Sequence, residues 1–288
     1  MNPSSFYTIG KDHTVCEDYA RTGILNRYDG EIPFAIVCDG CSSSPNTDLG
    51  ARFLALSFQE ELQRYGSRLY KDPSPVFRTS ERYVSPILDK HCLDATLWGT
   101  FISKGTFWIL GQGDGGYLTR MRDTGEVHIH LFDFDVNAPP YFSYLLEPQR
   151  AKAYQEQTGN GSYTETTWLL MEECSEIVGT KKKVICDFSP WVDNPEFMVA
   201  KMFSQEMYDL VMVFSDGVQS FHDLNDPSRE IDVVSEILEE FLKIKNYNGE
   251  FMVRRINRFL KDCAKRNWVH ADDLGVAALY APERGELP

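Results

Sequence analysis

Four apolar runs in this chain begin or end at an aspartate, and no other feature of the sequence constrains its fold as much. Asp39 follows Ala35-Ile36-Val37-Cys38, Asp114 follows Trp108 to Gly113, Asp216 follows Val211 to Ser215, and Asp272 with Asp273 immediately precedes Leu274 to Tyr280. Short apolar runs bounded by turn residues read as buried strands. Strand ends converge in an open sheet or a sandwich, and carboxylates gathered there repel one another unless a cation neutralises them. The set therefore implies hard divalent ions held by oxygen. Asp39, Asp114 and Asp216 are each followed by glycine, which lets the backbone turn sharply and brings a carbonyl close to a bound ion. A single Asp-Gly is a common turn pair; the signal lies in the set.

The remaining pattern is that of a mixed chain with largely antiparallel sheet. Ala95 to Ser103 and Thr106 to Gly111 meet at Lys104-Gly105, and Gly116 to Arg122 and Glu126 to Phe132 flank Thr124-Gly125, so the middle of the chain predicts consecutive hairpins. Leu49, Phe53 and Leu56, interleaved with Leu54, Phe58 and Leu62, predict a helix after the polar start at Asn46 to Asp48. Ile231, Val234, Leu238 and Phe241, then Phe251, Ile256, Phe259 and Cys263, predict two more amphipathic helices. Between Asp133 and Met207 the pattern weakens: Glu147 to Gln157 reads as helix, Thr166 to Met171 and Lys183 to Asp187 as strands, and Met198 with Met202 as core residues at helical spacing.

The chain has 288 residues, 42% of them hydrophobic, enough for a sizeable core, and no repeat or linker divides it, so one domain over residues 1–288 is expected. With Lys+Arg 29 against Asp+Glu 43 the net charge is −14. That balance argues against nucleic-acid backbones and anionic membrane surfaces as partners through bulk electrostatics, leaves room for a local basic patch, and favours metal cations. The first 30 residues lack a basic-then-apolar leader, and seven scattered cysteines suit a reducing compartment without disulfides. A cytoplasmic location is the expectation.

The ordered motifs resemble those of the metal-dependent type 2C protein phosphatases. Val15-Cys16-Glu17-Asp18 is similar to that family's Asn-Glu-Asp segment, Phe34 to Gly40 to its first Asp-Gly strand, and Ala95-Thr96 to its Ser/Gly-Thr approach to the central strands. Gly113-Asp114 resembles its Gly-Asp-Ser-Arg turn, Phe214-Ser215-Asp216-Gly217-Val218 its Ser-Asp-Gly-Leu motif, and Asp272-Asp273-Leu274 its closing segment. The resemblance implies an α+β fold, a four-layer α-β-β-α sandwich of two antiparallel sheets flanked by helices, with a two-metal site at one end. It further implies that Asp39 bridges two Mn²⁺ or Mg²⁺ ions, that Asp216 and Asp272 complete the first, and that the Gly40 carbonyl helps hold the second, with Glu17 and Asp18 nearby. Asp114, paired with Asp216, matches a third ion position of bacterial-type members. The implied reaction is hydrolysis of phosphoserine or phosphothreonine in a protein substrate by a metal-bridging hydroxide, with a cognate Ser/Thr kinase as the opposing partner. Asp39, Asp216 and Asp272 are then the catalytic set.

Two departures stand out. After Asp39-Gly40 the family has His-Gly-Gly or Met-Gly-Gly, whereas Cys41-Ser42-Ser43-Ser44 follows here, which removes the family's proposed general acid. His13 stands where bacterial-type members place a phosphate-binding arginine, so it is the candidate substrate contact, weaker than a guanidinium once neutral. These changes leave a second reading open, a catalytically weak phosphoprotein-binding module on the same fold. Other chemistries fit less well. The Cys38-x-x-Cys41 match has no second pair for zinc, Gly111 to Gly116 opens a strand rather than a phosphate-cradling helix, and no cysteine has Arg at the spacing of a cysteine phosphatase. His128 and His130 alternate on one strand face, where solvated histidines are the usual case.

Overall fold

Strands that are apolar on both faces must be covered on both sides, and the way this chain covers them fixes its architecture. The computed structural model describes residues 1–84, 87–134, 139–158, 162–171, 174–185 and 196–282. The strands are β1 (Asn2–Thr8), β2 (Tyr19–Arg27), β3 (Gly30–Cys38), β4 (Leu97–Ser103), β5 (Thr106–Gln112), β6 (Gly115–Met121), β7 (Val127–Phe134), β8 (Ser162–Met171), β9 (Cys174–Ile185), β10 (Val199–Ser204), β11 (Tyr208–Phe214), β12 (Phe221–Asp223), β13 (Trp268–His270) and β14 (Leu274–Tyr280). One antiparallel sheet has the order β1-β14-β11-β6-β7-β8-β9 and the other β10-β5-β4-β3-β2, with β12 and β13 forming a small separate pair.

Alternation along each central strand divides its side chains between two apolar layers. On β3, Ala35 and Val37 point to the layer between the sheets, where they join Trp98, Ile109, Tyr117, Val211, Val213 and Ala277. Phe34, Ile36 and Cys38 point the other way, onto α1 (Thr47–Tyr65), where Leu54, Phe58 and Leu62 are buried. The interleaved apolar sets of α1 are thereby resolved: the stripe through Phe58 faces the sheet, while Leu49 is exposed. On β11 and β14, Met212, Phe214, Val276 and Ala278 face a third layer, which contains Phe251, Ile256, Phe259 and Cys263 of the terminal helix Phe251–Arg266. Each fully buried Phe contributes about 1.5–3 kcal/mol. The result is helix, sheet, sheet, helix, the four-layer sandwich expected from the sequence.

The smaller helices are α2 (Ser74–Val84) and α3 (Pro148–Thr158); Phe251–Arg266 is called α4. The helix expected over Ile231 to Phe241 starts two residues later, as a π-turn, Val233–Leu238, before a short α segment Glu239–Leu242. Lys104 and Gly105 both have positive φ, 52° and 76°, the geometry of a two-residue hairpin turn. The expectation of helical spacing at Met198 and Met202 does not hold: Met202 lies on β10, an edge strand, and is 61% exposed. The strand expected at Lys183 to Asp187 ends at Ile185 and starts earlier, at Cys174; positions 186 and 187 lie outside the described residues. His130 is packed on the Tyr117 ring at 4.5 Å and hydrogen-bonded to Glu165 at 3.0 Å, so it is a satisfied strand histidine rather than a solvated one.

Candidate metal centre

Three sequence-distant turns bring carboxylates to one end of the sandwich. Asp39 leaves the end of β3, and its place is fixed from β4: its N–H donates to Thr96 Oγ1 at 3.3 Å, and the Thr96 N–H donates to its carbonyl at 2.8 Å. Asp114 sits in the link from β5 to β6, where the chain crosses from one sheet to the other. Gly113 and Gly115 flank it with φ of 95° and 107°, values that glycine alone adopts without strain, and Trp98 Nε1 donates to its carbonyl at 2.7 Å. Asp216 follows β11 at the start of a 3-10 turn, Asp216–Gln219. A Cβ on its neighbour Gly217 would lie 1.7 Å from the Asp273 carbonyl oxygen, so glycine is what allows this turn to close on the Asp272-Asp273 segment.

The carboxylate oxygens of Asp39, Asp114 and Asp216 lie within 4.8 Å of one another. Burial, followed by the charges of Asp18, Asp216, Asp114 and Asp272, pushes the Asp39 carboxyl well above the usual range. Burial and then Asp216 push Asp114 up to about 8, and burial and then Asp272 push Asp216 up to about 6. Beneath them Asp18 is fully buried, held by a hydrogen bond from Ser215 Oγ to Oδ2 at 2.6 Å, while no N–H or hydroxyl donor among the described residues reaches its Oδ1. Burial raises the Asp18 carboxyl too, although the Ser215 bond opposes the shift.

A second group lies beside the first. Asp273 is buried and accepts from the Gly10 and Glu17 N–H groups at 2.7 and 2.5 Å. His13 Nδ1 is 3.2 Å from Asp273 Oδ2 and 3.7 Å from Glu17 Oε2, and its Nε2 is 3.3 Å from Asp272 Oδ1. Burial alone would lower the imidazole pKa, but the charges of Asp273 and Asp272 outweigh it, and His13 holds its proton above the usual value. Asp272 lies outside the three-carboxylate group and is 41% exposed at its side chain, yet its charge is the largest electrostatic influence on Asp216. Glu17 accepts from Thr47 Oγ1 at 3.0 Å, and a Cβ on Gly40 would meet Thr47 at 2.8 Å, so the carbonyl at position 40 is held against the start of α1.

Several contributors were not picked out from sequence. Ser215 and Thr96 fix Asp18 and Asp39. Asp273, seen only as the second half of an Asp-Asp pair, anchors the N-terminal loop. Asp94 is buried and accepts from Ser44 Oγ at 2.7 Å, Ser143 Oγ at 2.5 Å and both terminal nitrogens of Arg150 at 3.1 and 2.7 Å, which ties the loop after Gly40 to α3. The one available signal was its position directly before Ala95-Thr96. Tyr141 is buried beside the same loop; burial, the Cys41 thiol and then Asp114 and Asp39 push its phenol far upward.

The donor set fits a hard cation. It is all oxygen, the leading electrostatic neighbours of each carboxylate are other carboxylates, a buried oxygen of Asp18 lacks an N–H or hydroxyl donor among the described residues, and position 40 has no room for a side chain. Such a set can be neutralised by protons or, as the pH rises, by divalent ions.

No protein-family model matches the sequence, and no curated protein does. Solved structures do match in shape. A serine/threonine phosphatase from Staphylococcus aureus superposes with a TM-score of 0.52 at 11% identity, covering 98% of this chain and 96% of its own. A bacterial serine phosphatase gives 0.51 at 12% identity, and a point variant described in the same words gives 0.54 at 11%, each covering 98% of both chains. At such identities the likeness is one of fold, and the fold of this chain is the one these bacterial phosphatase structures have.

Proposed function

We propose that the chain is a Mn²⁺- or Mg²⁺-dependent protein serine/threonine phosphatase. The observation that carries this reading is the meeting of the Asp39, Asp114 and Asp216 carboxylates, drawn from turns on both sheets, in a group to which no Lys or Arg among the described residues is ion-paired. In this reading Asp39, Asp216 and Asp272 hold one ion, Asp39 and the Gly40 carbonyl with Glu17 and Asp18 serve a second, and Asp114 with Asp216 offers a third position. Divalent ions held there would lower the pKa of water and offset charge on the phosphoryl oxygens. The chain's own part is preorganisation. Thr96 fixes Asp39, Ser215 fixes Asp18, and Asp273 holds the Gly10-to-Glu17 loop against the site. No histidine follows Gly40, so the leaving oxygen takes its proton from solvent.

His13 is proposed as a phosphate contact at the rim. Its nitrogens already face Asp272 and Asp273, so a substrate phosphate has to compete with those carboxylates. That same observation favours the second reading, a phosphoprotein-binding module with weak turnover. Phosphate release from a phosphoserine peptide and from an aryl phosphate, with and without Mn²⁺, decides between them. Mn²⁺-dependent release that Asp39→Asn abolishes supports the enzyme. Peptide binding without release, with the metal response intact, would leave the module.

A further inference from the structure

The acidic balance of the chain is not uniform. Between residues 243 and 266 there are eight basic residues against Glu250 and Asp262, a surplus of six in a chain whose net charge is −14. Five of them, Lys243, Lys245, Arg254, Arg255 and Arg258, line one cavity of about 160 Å³ between the 243–249 loop and the first turns of α4.

The cavity is built rather than incidental. Tyr247 stacks on Tyr280 with ring centroids 3.9 Å apart and accepts from Arg120 at 2.7 Å, which pins the loop to the seven-stranded sheet. Arg254 donates to the Asn246 and Asn248 carbonyls at 3.1 and 2.6 Å. Glu240 takes up Lys243 at 2.5 Å and Arg255 at 2.6 Å. That leaves Lys245 and Arg258, both exposed, without an ion pair among the described residues. From the cavity the exposed face of α4 continues through Arg258, Lys261 and Lys265 at helical spacing.

The position is remote from the acidic centre. The first turn of α4 is bonded to β1, where Met252 N–H donates to Ser4 Oγ at 3.0 Å, whereas its last turn leads through β13 to Asp272. Of the cavity's two uncommitted cations, Lys245 precedes the helix and Arg258 lies eight residues before its last residue, Arg266, roughly 12 Å at 1.5 Å per residue.

We propose that this cavity binds the phosphate group of an acidic phosphorylated segment of a protein partner. A phosphomonoester carries about −1.5 to −2 at neutral pH, which matches the two uncommitted cations; one carboxylate would leave one of them unbalanced. Arginine forks recognise phosphate oxygens in pairs, and the basic stripe along α4 receives acidic residues flanking the phosphate. A longer polyanion such as RNA would extend beyond the stripe on a chain whose net charge is −14. The proposal does not depend on hydrolysis at the aspartate cluster.

The test is binding of a labelled phosphoserine peptide with acidic flanks by fluorescence anisotropy, with chelator present and at 50 and 150 mM salt. The expected result is affinity that weakens with salt, falls at least tenfold in Lys245→Ala/Arg258→Ala, and is unchanged in Asp39→Asn. Both changed side chains are exposed, so thermal unfolding of the double variant should match wild type, as should its turnover of a small aryl phosphate. Equal binding by the double variant would overturn the proposal. So would equal binding of the unphosphorylated peptide, competition by inorganic phosphate at the peptide's own concentration, which would mark a free-phosphate site, or stronger competition by a single-stranded RNA.

Discussion

At Asp39 charge and shape can be separated, because asparagine keeps the outline of the side chain and removes its charge. Asp39→Asn should abolish Mn²⁺-dependent phosphate release, and turnover within about tenfold of wild type would end the metal-centre reading. The same change relieves repulsion from Asp18, Asp216 and Asp114, so the chelated variant should unfold no more easily than chelated wild type. The pH dependence follows with a definite sign. In the cation-free protein Asp114 and Asp216 give up their protons near 8 and 6, against 3.8 in an unfolded chain. Between those values the folded state binds more protons, so the stability these two groups contribute is full below about pH 4 and is lost as pH rises through 6 and then 8. Urea midpoints in chelator should therefore be lower at pH 8.5 than at pH 5, and Asp114→Asn should remove the upper part of the decline. His13 is tested through KM: His13→Ala should raise it with a smaller change in kcat, and His13→Arg should lower it near pH 8, where guanidinium stays charged. An unchanged KM from pH 6 to 8 in His13→Ala would show that the imidazole serves only its carboxylate neighbours.

Among the elements, the loop after Gly40 depends most on a single side chain. Asp94 accepts from Ser44, Ser143 and Arg150, and the Cys41 N–H donates to its carbonyl at 2.8 Å. Asp94→Ala would leave Arg150, 25% exposed at its side chain, with only Glu147 at 3.7 Å as a carboxylate partner among the described residues, would also remove the acceptor of two hydroxyls, and should cost on the order of 2 kcal/mol. A urea midpoint unchanged from wild type would mean the loop and α3 are held otherwise. This network also shows where legibility stops. The strands β3, β11 and β14 could be read because two-sided burial makes each a continuous apolar run, and the Lys104-Gly105 turn because its backbone demands such residues. The aspartates could be read because they punctuate those runs. The partners that fix them could not, since Ser215 meets Asp18 across 197 positions and Gly10 meets Asp273 across 263, and no local period reports on such pairs. Met198 precedes β10 and Met202 lies on its exposed side, and two apolar residues four apart carry too little pattern to distinguish that from a helix face. The π-turn at Val233–Leu238 keeps the apolar spacing of an α-helix and so left no separate trace.

Across the whole molecule, the candidate centre is a junction between the sheets: Asp39 leaves the five-stranded sheet, Asp216 leaves the seven-stranded one, and Asp114 lies in the link between them. Cations bound there would act on global stability as well as on chemistry, because unfolding would separate all three proposed ligands and release the ions. Ions that bind only the folded state stabilise it by RT ln(1 + [L]/Kd), about 2.7 kcal/mol at one hundred times Kd. For a chain of this size 1 kcal/mol moves Tm by about 2–4 °C, so saturating Mn²⁺ should raise Tm by about 5–10 °C. Chelation should reverse the rise. The rise should also be larger at pH 8 than at pH 6, since ions and protons compete for the same carboxylates and fewer protons have to be displaced at the higher pH. Asp39→Asn should show a clearly smaller shift, because it removes a ligand common to the group, whereas Lys245→Ala/Arg258→Ala, in the loop before α4 and at its middle, should keep the wild-type shift. An equal Mn²⁺ response in wild type and Asp39→Asn would place the ions elsewhere on this acidic surface, and the junction would then be a site of stored repulsion rather than of catalysis.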